Sequence, residues 1–193
     1  MENSALHALR LSVSNLNHPL NTPVSTLVFA CGLPASHLMV IGEAPGAEEE
    51  KKGEPFVGRS GQLLEKLLNK SGTSRTGQGA QGHYITNAVN WRPPNNRPPT
   101  KTEIELCNPY LFKHIELINP KAILLVGATA AKAVLKKTAP MATLRAENPH
   151  QIKLLNGVTV PTFITYHPAY LLRNPAATTL FLEDLATMKS YIK

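Results

Sequence analysis

Leu38-Met39-Val40-Ile41-Gly42-Glu43-Ala44-Pro45-Gly46 is the stretch whose reading decides the fold. Four apolar residues, enough for a short buried strand, run straight into a turn built from glycine and proline. An unbroken apolar run of this length reads as a parallel strand covered on both faces. Ligands of open α/β sheets bind at the carboxyl ends of such strands. Glu43, planted on that turn, is therefore a candidate for chemistry. Read alone, it is more simply an acidic residue in a solvated loop.

Working outward, Leu27-Val28-Phe29-Ala30 reads as a small edge strand before the Gly32-Leu33-Pro34 turn. Upstream, Leu6, Leu9, Leu11 and Val13 form a ragged helical stripe within an N-terminal extension, residues 1–25. Downstream, residues 47–58 read as an acidic loop closing on Phe56 between Pro55 and Gly58. Ser60 is placed to cap a helix whose stripe is Leu63, Leu64, Leu67 and Leu68. The glycine-rich segment 72–82 is a flexible loop by composition.

A second strand reads over 83–89 and runs into Asn90-Trp91-Arg92-Pro93-Pro94-Asn95-Asn96-Arg97-Pro98-Pro99. Its prolines lack the donor that a helix interior or a central strand requires. Thr100 or Thr102 opens a helix through Ile118, and Ala122–Val126 is the third strand. An alanine-rich helix over 128–137 follows, then a loop with a short hairpin over 138–157. Val160–Thr165 is the fourth strand, and a last helix covers 177–191. Strand and helix alternate four times. The fold class is α/β: a three-layer α/β/α sandwich with a central four-stranded, mostly parallel sheet, in a single domain over 1–193.

The chain has 193 residues, enough for one well-buried domain and short for two. Lys and Arg number 20 against 13 Asp and Glu, a net charge of +7, which is compatible with a polyanionic partner. The basic residues are scattered, so charge alone points no further. No segment has the apolar length of a membrane span, and no signal-peptide layout opens the chain, so a cytoplasmic protein with no membrane partner is expected. Two cysteines, Cys31 and Cys107, cannot supply a four-thiolate metal site.

Three of the four strands end in unusual polar loops: Gly-Glu-Ala-Pro-Gly, Asn-Trp-Arg-Pro-Pro and His-Pro-Ala-Tyr. Parallel strands bring such loops to one edge. That edge gathers a carboxylate (Glu43), an apolar ring (Phe56), an amide (Asn87) and an imidazole (His167), with Arg92, Arg97 and Arg173 nearby. An amide pairs with a carbonyl and an adjacent N–H of one heterocycle edge, and an aromatic face stacks on a base. The set suits a flat heterocycle on a phosphate backbone. Taken singly, each has a plainer reading: Asn87 a turn-former, Phe56 core, His167 a loop cap, and Arg92 and Arg97 props for the proline-rich loop.

Five blocks in order then resemble the family 4 uracil-DNA glycosylases. They are Gly42–Gly46, Gly53–Leu64, Tyr84–Asn87, Arg92–Arg97 and His167–Arg173. The likeness spans about residues 25 to 192, and five ordered blocks are far more specific than a lone motif. The resemblance implies a monofunctional base-excision enzyme that flips uracil from single- or double-stranded DNA and hydrolyses its glycosidic bond. It implies a monomer of the bacterial cytoplasm or nucleoid.

By the same resemblance, Phe56 stacks on uracil, Asn87 bonds its O4 and N3–H, and Gly42 and Ala44 form the pocket wall. His167 stabilises charge on O2. Glu43 orients water or holds the turn, Ala44 standing where related classes carry an Asp or Asn. Arg59, Arg92, Arg97, Leu171, Leu172 and Arg173 face DNA, the two leucines filling the gap left by the flipped base.

The family also implies a 4Fe–4S cluster on four cysteines. Here the N-terminal pair is missing, Trp91 takes the third position, and only Cys107 remains. Such a cluster needs four ligands, so none is expected, and Trp91 with apolar neighbours is expected to fill that volume. Two other readings stay open: a DNA- or base-binding relative without activity, and a glycosylase for another deaminated base.

Overall fold

A computed structural model describes residues 4–193. In chain order its elements begin with α1 (Ser4–Ser14), β1 (Ala30–Cys31), β2 (Ser36–Gly42), α2 (Ala47–Lys52), α3 (Arg59–Lys70) and β3 (Gly79–Asn87). A 3₁₀ turn at Pro94–Asn96 precedes α4 (Lys101–Ile118), β4 (Ala122–Val126), α5 (Ala128–Leu135) and α6 (Met141–Ala146). The chain closes with β5 (His150–Lys153), β6 (Thr159–Thr165), α7 (Pro168–Arg173), a 3₁₀ turn at Pro175–Ala177, and α8 (Thr178–Lys189). No helix among the described residues is long and apolar enough to cross a membrane.

The sheet order is β1-β3-β2-β4-β6-β5, with β3, β2, β4 and β6 parallel and the outer strands antiparallel. Six strands thus replace the four expected, because both edges are too short to show a pattern. β1 has two residues and overlaps the expected edge segment at Ala30 alone, and β5 has four, inside the stretch read as a loop with a hairpin.

Alternation along β2 explains the layers. Met39 and Ile41 point to one apolar cluster, which takes Leu6 and Leu9 of α1, Ile104, Leu111 and Ile115 of α4, and the alanines of α5. Leu38 and Val40 point to the other, which takes Leu64, Leu67 and Leu68 of α3, Leu171 of α7, and Phe181 and Leu185 of α8. Helices therefore cover both faces, which is why the central strands read as unbroken apolar runs.

Other boundaries differ for local reasons. The acidic stretch after the first turn is helical as α2, with Glu48, Glu49 and Glu50 in its first turn, where the helix dipole favours negative charge. Gly58 rather than Ser60 caps α3. The flexible loop expected over 72–82 is shorter, since β3 begins at Gly79. Thr100 caps α4 in a reciprocal box with Glu103: Thr100 Oγ1 accepts from Glu103 N at 3.2 Å, and Glu103 Oε2 from Thr100 N at 2.7 Å.

Candidate active site at the carboxyl edge of the sheet

The parallel strands end on one edge, and a cavity of about 160 Å³ opens there. Its walls include Glu43 and Ala44 from the turn after β2, Phe56 from the loop before α3, Asn87 from the end of β3, and His167 from the loop after β6. The four residue types read from sequence thus meet in one cavity.

Gly42 and Asn87 are register partners across β2 and β3. Asn87 is 3% exposed, and its Oδ1 is buried without a hydrogen-bond partner. A buried amide acceptor left unpaired is costly, so this oxygen marks where a donor from a ligand would sit. A Cβ on Gly42 would also fall 2.5 Å from Phe56 Cζ, so only glycine leaves the slot between ring and amide open.

Phe56 itself lies in left-handed backbone, φ 55°, unusual for a bulky residue. Glu49 braces it from one side: Oε1 accepts from Val57 N at 2.9 Å and Gly58 N at 2.8 Å, while Oε2 accepts from Gly46 N at 3.2 Å. One carboxylate therefore ties the first turn to the Phe56 loop. Sequence reading missed it, although a glutamate three residues after a helix-capping Gly46 fits the capping pattern.

His167 caps α7, its Nδ1 accepting from Ala169 N at 3.2 Å. That bond assigns the lone pair to Nδ1 and leaves Nε2 as the donor of the neutral ring. Burial pushes the imidazole below its ordinary range, Arg173 adds to the effect, and Glu49 opposes it. Phe56 and His167 rings stand 6.0 Å apart at 33°. Gly127, φ +94°, lets β4 turn beside the histidine, since a Cβ there would meet His167 Cβ at 3.1 Å. Glu43 accepts a hydrogen bond on Oε2 from Thr129 Oγ1 of α5, a partner the sequence did not signal.

The residues assigned to DNA divide. Arg59, Leu172 and Arg173 are exposed. Leu171 is a correction: at 2% exposure it belongs to the core, because the single turn-and-a-half of α7 sends residue 171 inward and 172 out. Tyr170, 38% exposed, stacks on Tyr166 at 4.9 Å. Arg145 lies 4.8 Å from the Tyr166 ring centroid and is fixed by both oxygens of Asp184.

Arg92 and Arg97 are engaged internally rather than projecting as free cations. Arg92 pairs with Glu50 at 3.1 Å and bonds Asn96 Oδ1 at 2.8 Å. Arg97 grips both oxygens of Glu103, at 2.8 and 2.6 Å, and holds that carboxyl down at about 2. The proline-rich loop is thus strapped to α2 and α4.

Where the resemblance implies a cluster ligand stands Trp91, whose indole offers iron no donor atom. Trp91 is 1% exposed and stacks on His18 at 5.0 Å. His18 Nδ1 accepts from Leu20 N at 3.1 Å, and Nε2 bonds Glu103 O at 3.0 Å. Cys107 is buried in the cluster that holds Trp91, whereas Cys31 packs against the opposite face of the sheet.

A family model described as the uracil DNA glycosylase superfamily matches residues 29–188. A type-4 uracil-DNA glycosylase of Thermotoga maritima is 42% identical over 178 residues, 91% of this chain and 88% of that protein. One from Pyrobaculum aerophilum is 42% identical over 155 residues, 77% of this chain and 74% of that protein. A type-5 uracil-DNA glycosylase from the same archaeon is 34% identical, covering 78% of this chain and 68% of its own.

Proposed function

The chain belongs to the uracil DNA glycosylase superfamily, and from that premise we propose how its cavity selects and releases the base. The activity is excision of uracil from DNA by hydrolysis of the N-glycosidic bond, leaving an abasic site. The observation that carries the recognition step is the orphaned Asn87 Oδ1 facing the slot that Gly42 keeps open beside Phe56. Uracil enters that slot flipped from the strand, at a cost of a few kcal/mol that the pocket must recover. N3–H donates to Asn87 Oδ1, the amide N–H₂ donates to O4, and the ring lies on Phe56. Cytosine inverts both groups, leaving the buried amide mispaired, which is how a polar site rejects a near-isostere.

The N1–C1′ bond then breaks with its electron pair moving onto the base, leaving oxocarbenium character on the sugar. The neutral His167 donates from Nε2 toward O2, where the negative charge gathers; stabilisation of this kind is commonly the largest contribution to catalysis. Water adds its oxygen to C1′, and the proton it loses neutralises the uracil anion, which leaves as the free base. We assign its orientation to the Glu43 oxygen not engaged by Thr129. Ala44 leaves no second carboxylate on the turn. Asn87 and His167 therefore carry more of the reaction than Glu43 does.

We further propose that the protein works without an iron–sulfur cluster, the Trp91–His18 stack bracing the loop instead. On this reading the protein acts as a monomer. Both single strands and duplexes serve as substrate.

The test is incubation with uracil-containing oligonucleotides, single-stranded and paired with G or A, followed by alkaline cleavage. Strand breaks at uracil on each are expected. Binding without cleavage on any would instead mark a DNA-binding relative that lacks activity.

A further inference from the structure

The segment before β3 takes no part in the chemistry above, yet it sends one side chain to the back of the cavity wall. Arg75 Nη2 donates to Phe56 O at 2.7 Å, and Nη1 to Pro55 O at 3.1 Å. Nη1 also lies 3.1 Å from Cys31 Sγ. Its Nε donates to Glu65 Oε2 at 2.6 Å, fixing the guanidinium to α3. That same carboxylate oxygen lies 3.3 Å from Nε2 of the fully buried His83, whose Nδ1 meets Thr73 Oγ1 at 3.1 Å.

The backbone that Arg75 grips is the strained one. Phe56 sits at φ 55°, where a bulky side chain persists only if its surroundings over-determine it. Glu49 holds the two N–H groups that follow the ring, and Arg75 holds the two carbonyls at and before it. Gly61 completes the vice, since a Cβ there would lie 2.1 Å from Phe56 C. A planar fork of five donors can serve two carbonyls and a carboxylate together; a lysine ammonium cannot reproduce that geometry.

We propose that Arg75 is a positioning residue for base recognition: it locks the Pro55–Phe56 peptide so that the ring lies flat along the uracil slot. This rests on the reading that Phe56 stacks on the flipped base. The loop before β3 thereby becomes part of the apparatus that reads uracil, although it contributes nothing to the cavity surface.

A double-mutant cycle in the full chain tests it, with Arg75→Met, Phe56→Leu and the pair. Single-turnover excision from a single-stranded uracil oligonucleotide and binding to an abasic-site oligonucleotide are both measured. Base–aromatic stacking of this kind amounts to roughly five- to a hundredfold, so each single variant is expected to slow excision by about tenfold or more. The pair is expected to be no more than about threefold slower than Phe56→Leu alone, because contacting residues do not add. Abasic-site binding stays within about twofold in Arg75→Met, since no base is read there.

Multiplicative losses in the pair, or equal weakening of abasic-site binding, would overturn the proposal. Wild-type excision by Phe56→Leu would instead remove the stacking reading itself. Should Arg75→Met not fold, Arg75→Lys keeps a cation beside Glu65 and runs through the same cycle. It is expected to excise slowly, and wild-type excision by it would refute the need for the fork.

Discussion

A Cβ on Gly42 would lie 2.4 Å from Asn87 Oδ1, so the first residue of the turn and the last of β3 share one slot with no room for a methyl group. Gly42→Ala must push both the amide and the Phe56 ring, each buried. Excision is expected to fall by more than about tenfold, since small misplacements of reacting groups are amplified in rate. Single-turnover assays on the folded variant check it.

Asn87→Ala removes the donor and acceptor that match uracil. A site built to hydrogen-bond its substrate discriminates by large factors, so activity is expected to drop by more than about a hundredfold. Near-normal turnover would take Asn87 out of base recognition.

The pH profile follows from His167. Its imidazole is depressed by burial and by Arg173, so the ring stays neutral to lower pH than an ordinary histidine, whose value is about 6.5. Excision is expected to persist as pH falls through that value. It should decline only at lower pH, when a proton on Nδ1 breaks the bond from Ala169 N. Arg173→Gln removes one depressing charge, so its acid limb shifts to higher pH. Rates at saturating DNA report the shift free of any change in affinity, and an unmoved limb would refute the assignment.

Leu171 and Leu172 separate packing from DNA contact. Leu171→Ala opens a cavity in the core and is expected to cost about 2–5 kcal/mol of stability. Leu172→Ala leaves stability near wild type but slows excision from duplexes more than from single strands, where no gap needs filling. Urea titrations and paired substrates measure the two effects.

Trp91 carries the prediction about cofactor. Purified protein is expected to lack stoichiometric iron and the broad visible absorption of an iron–sulfur chromophore. Trp91→Ala, emptying a fully buried site stacked on His18, is expected to cost about 3–5 kcal/mol. A brown sample with four irons per chain would refute the reading of the missing cysteines.

Glu43, Asn87 and His167 were legible in the sequence because each stands at or just beyond a strand end, and Phe56 because Pro55 and Gly58 bound it. The parallel alternation of elements then says that such loops share an edge. Arg75 and Thr129 were not legible, for a physical reason. Each is an ordinary residue whose partner is supplied by tertiary packing, as Thr129 meets Glu43 from a different strand–helix unit. The first edge strand was read at 27–30 and lies at Ala30–Cys31, while β5 escaped, because two or four residues cannot display alternation. Leu171 was misplaced because in one short helix neighbouring leucines look alike until the turn's phase is known. Arg92 and Arg97 were read both as DNA-facing cations and as props for the proline-rich loop, and their partners Glu50 and Glu103 come from tertiary packing.

The parallel pairing of β2, β3, β4 and β6 has a kinetic consequence. Glu43 and His167 stand at opposite ends of the chain's fold-forming region, and no local hairpin brings them together. Parallel ladders of this kind form slowly, because long loops must close before their contacts stabilise anything. The cavity therefore exists only once those long-range pairings are made. A nascent chain that has not yet placed β6 has no imidazole at the slot, so catalytic competence arrives only with the completed sheet.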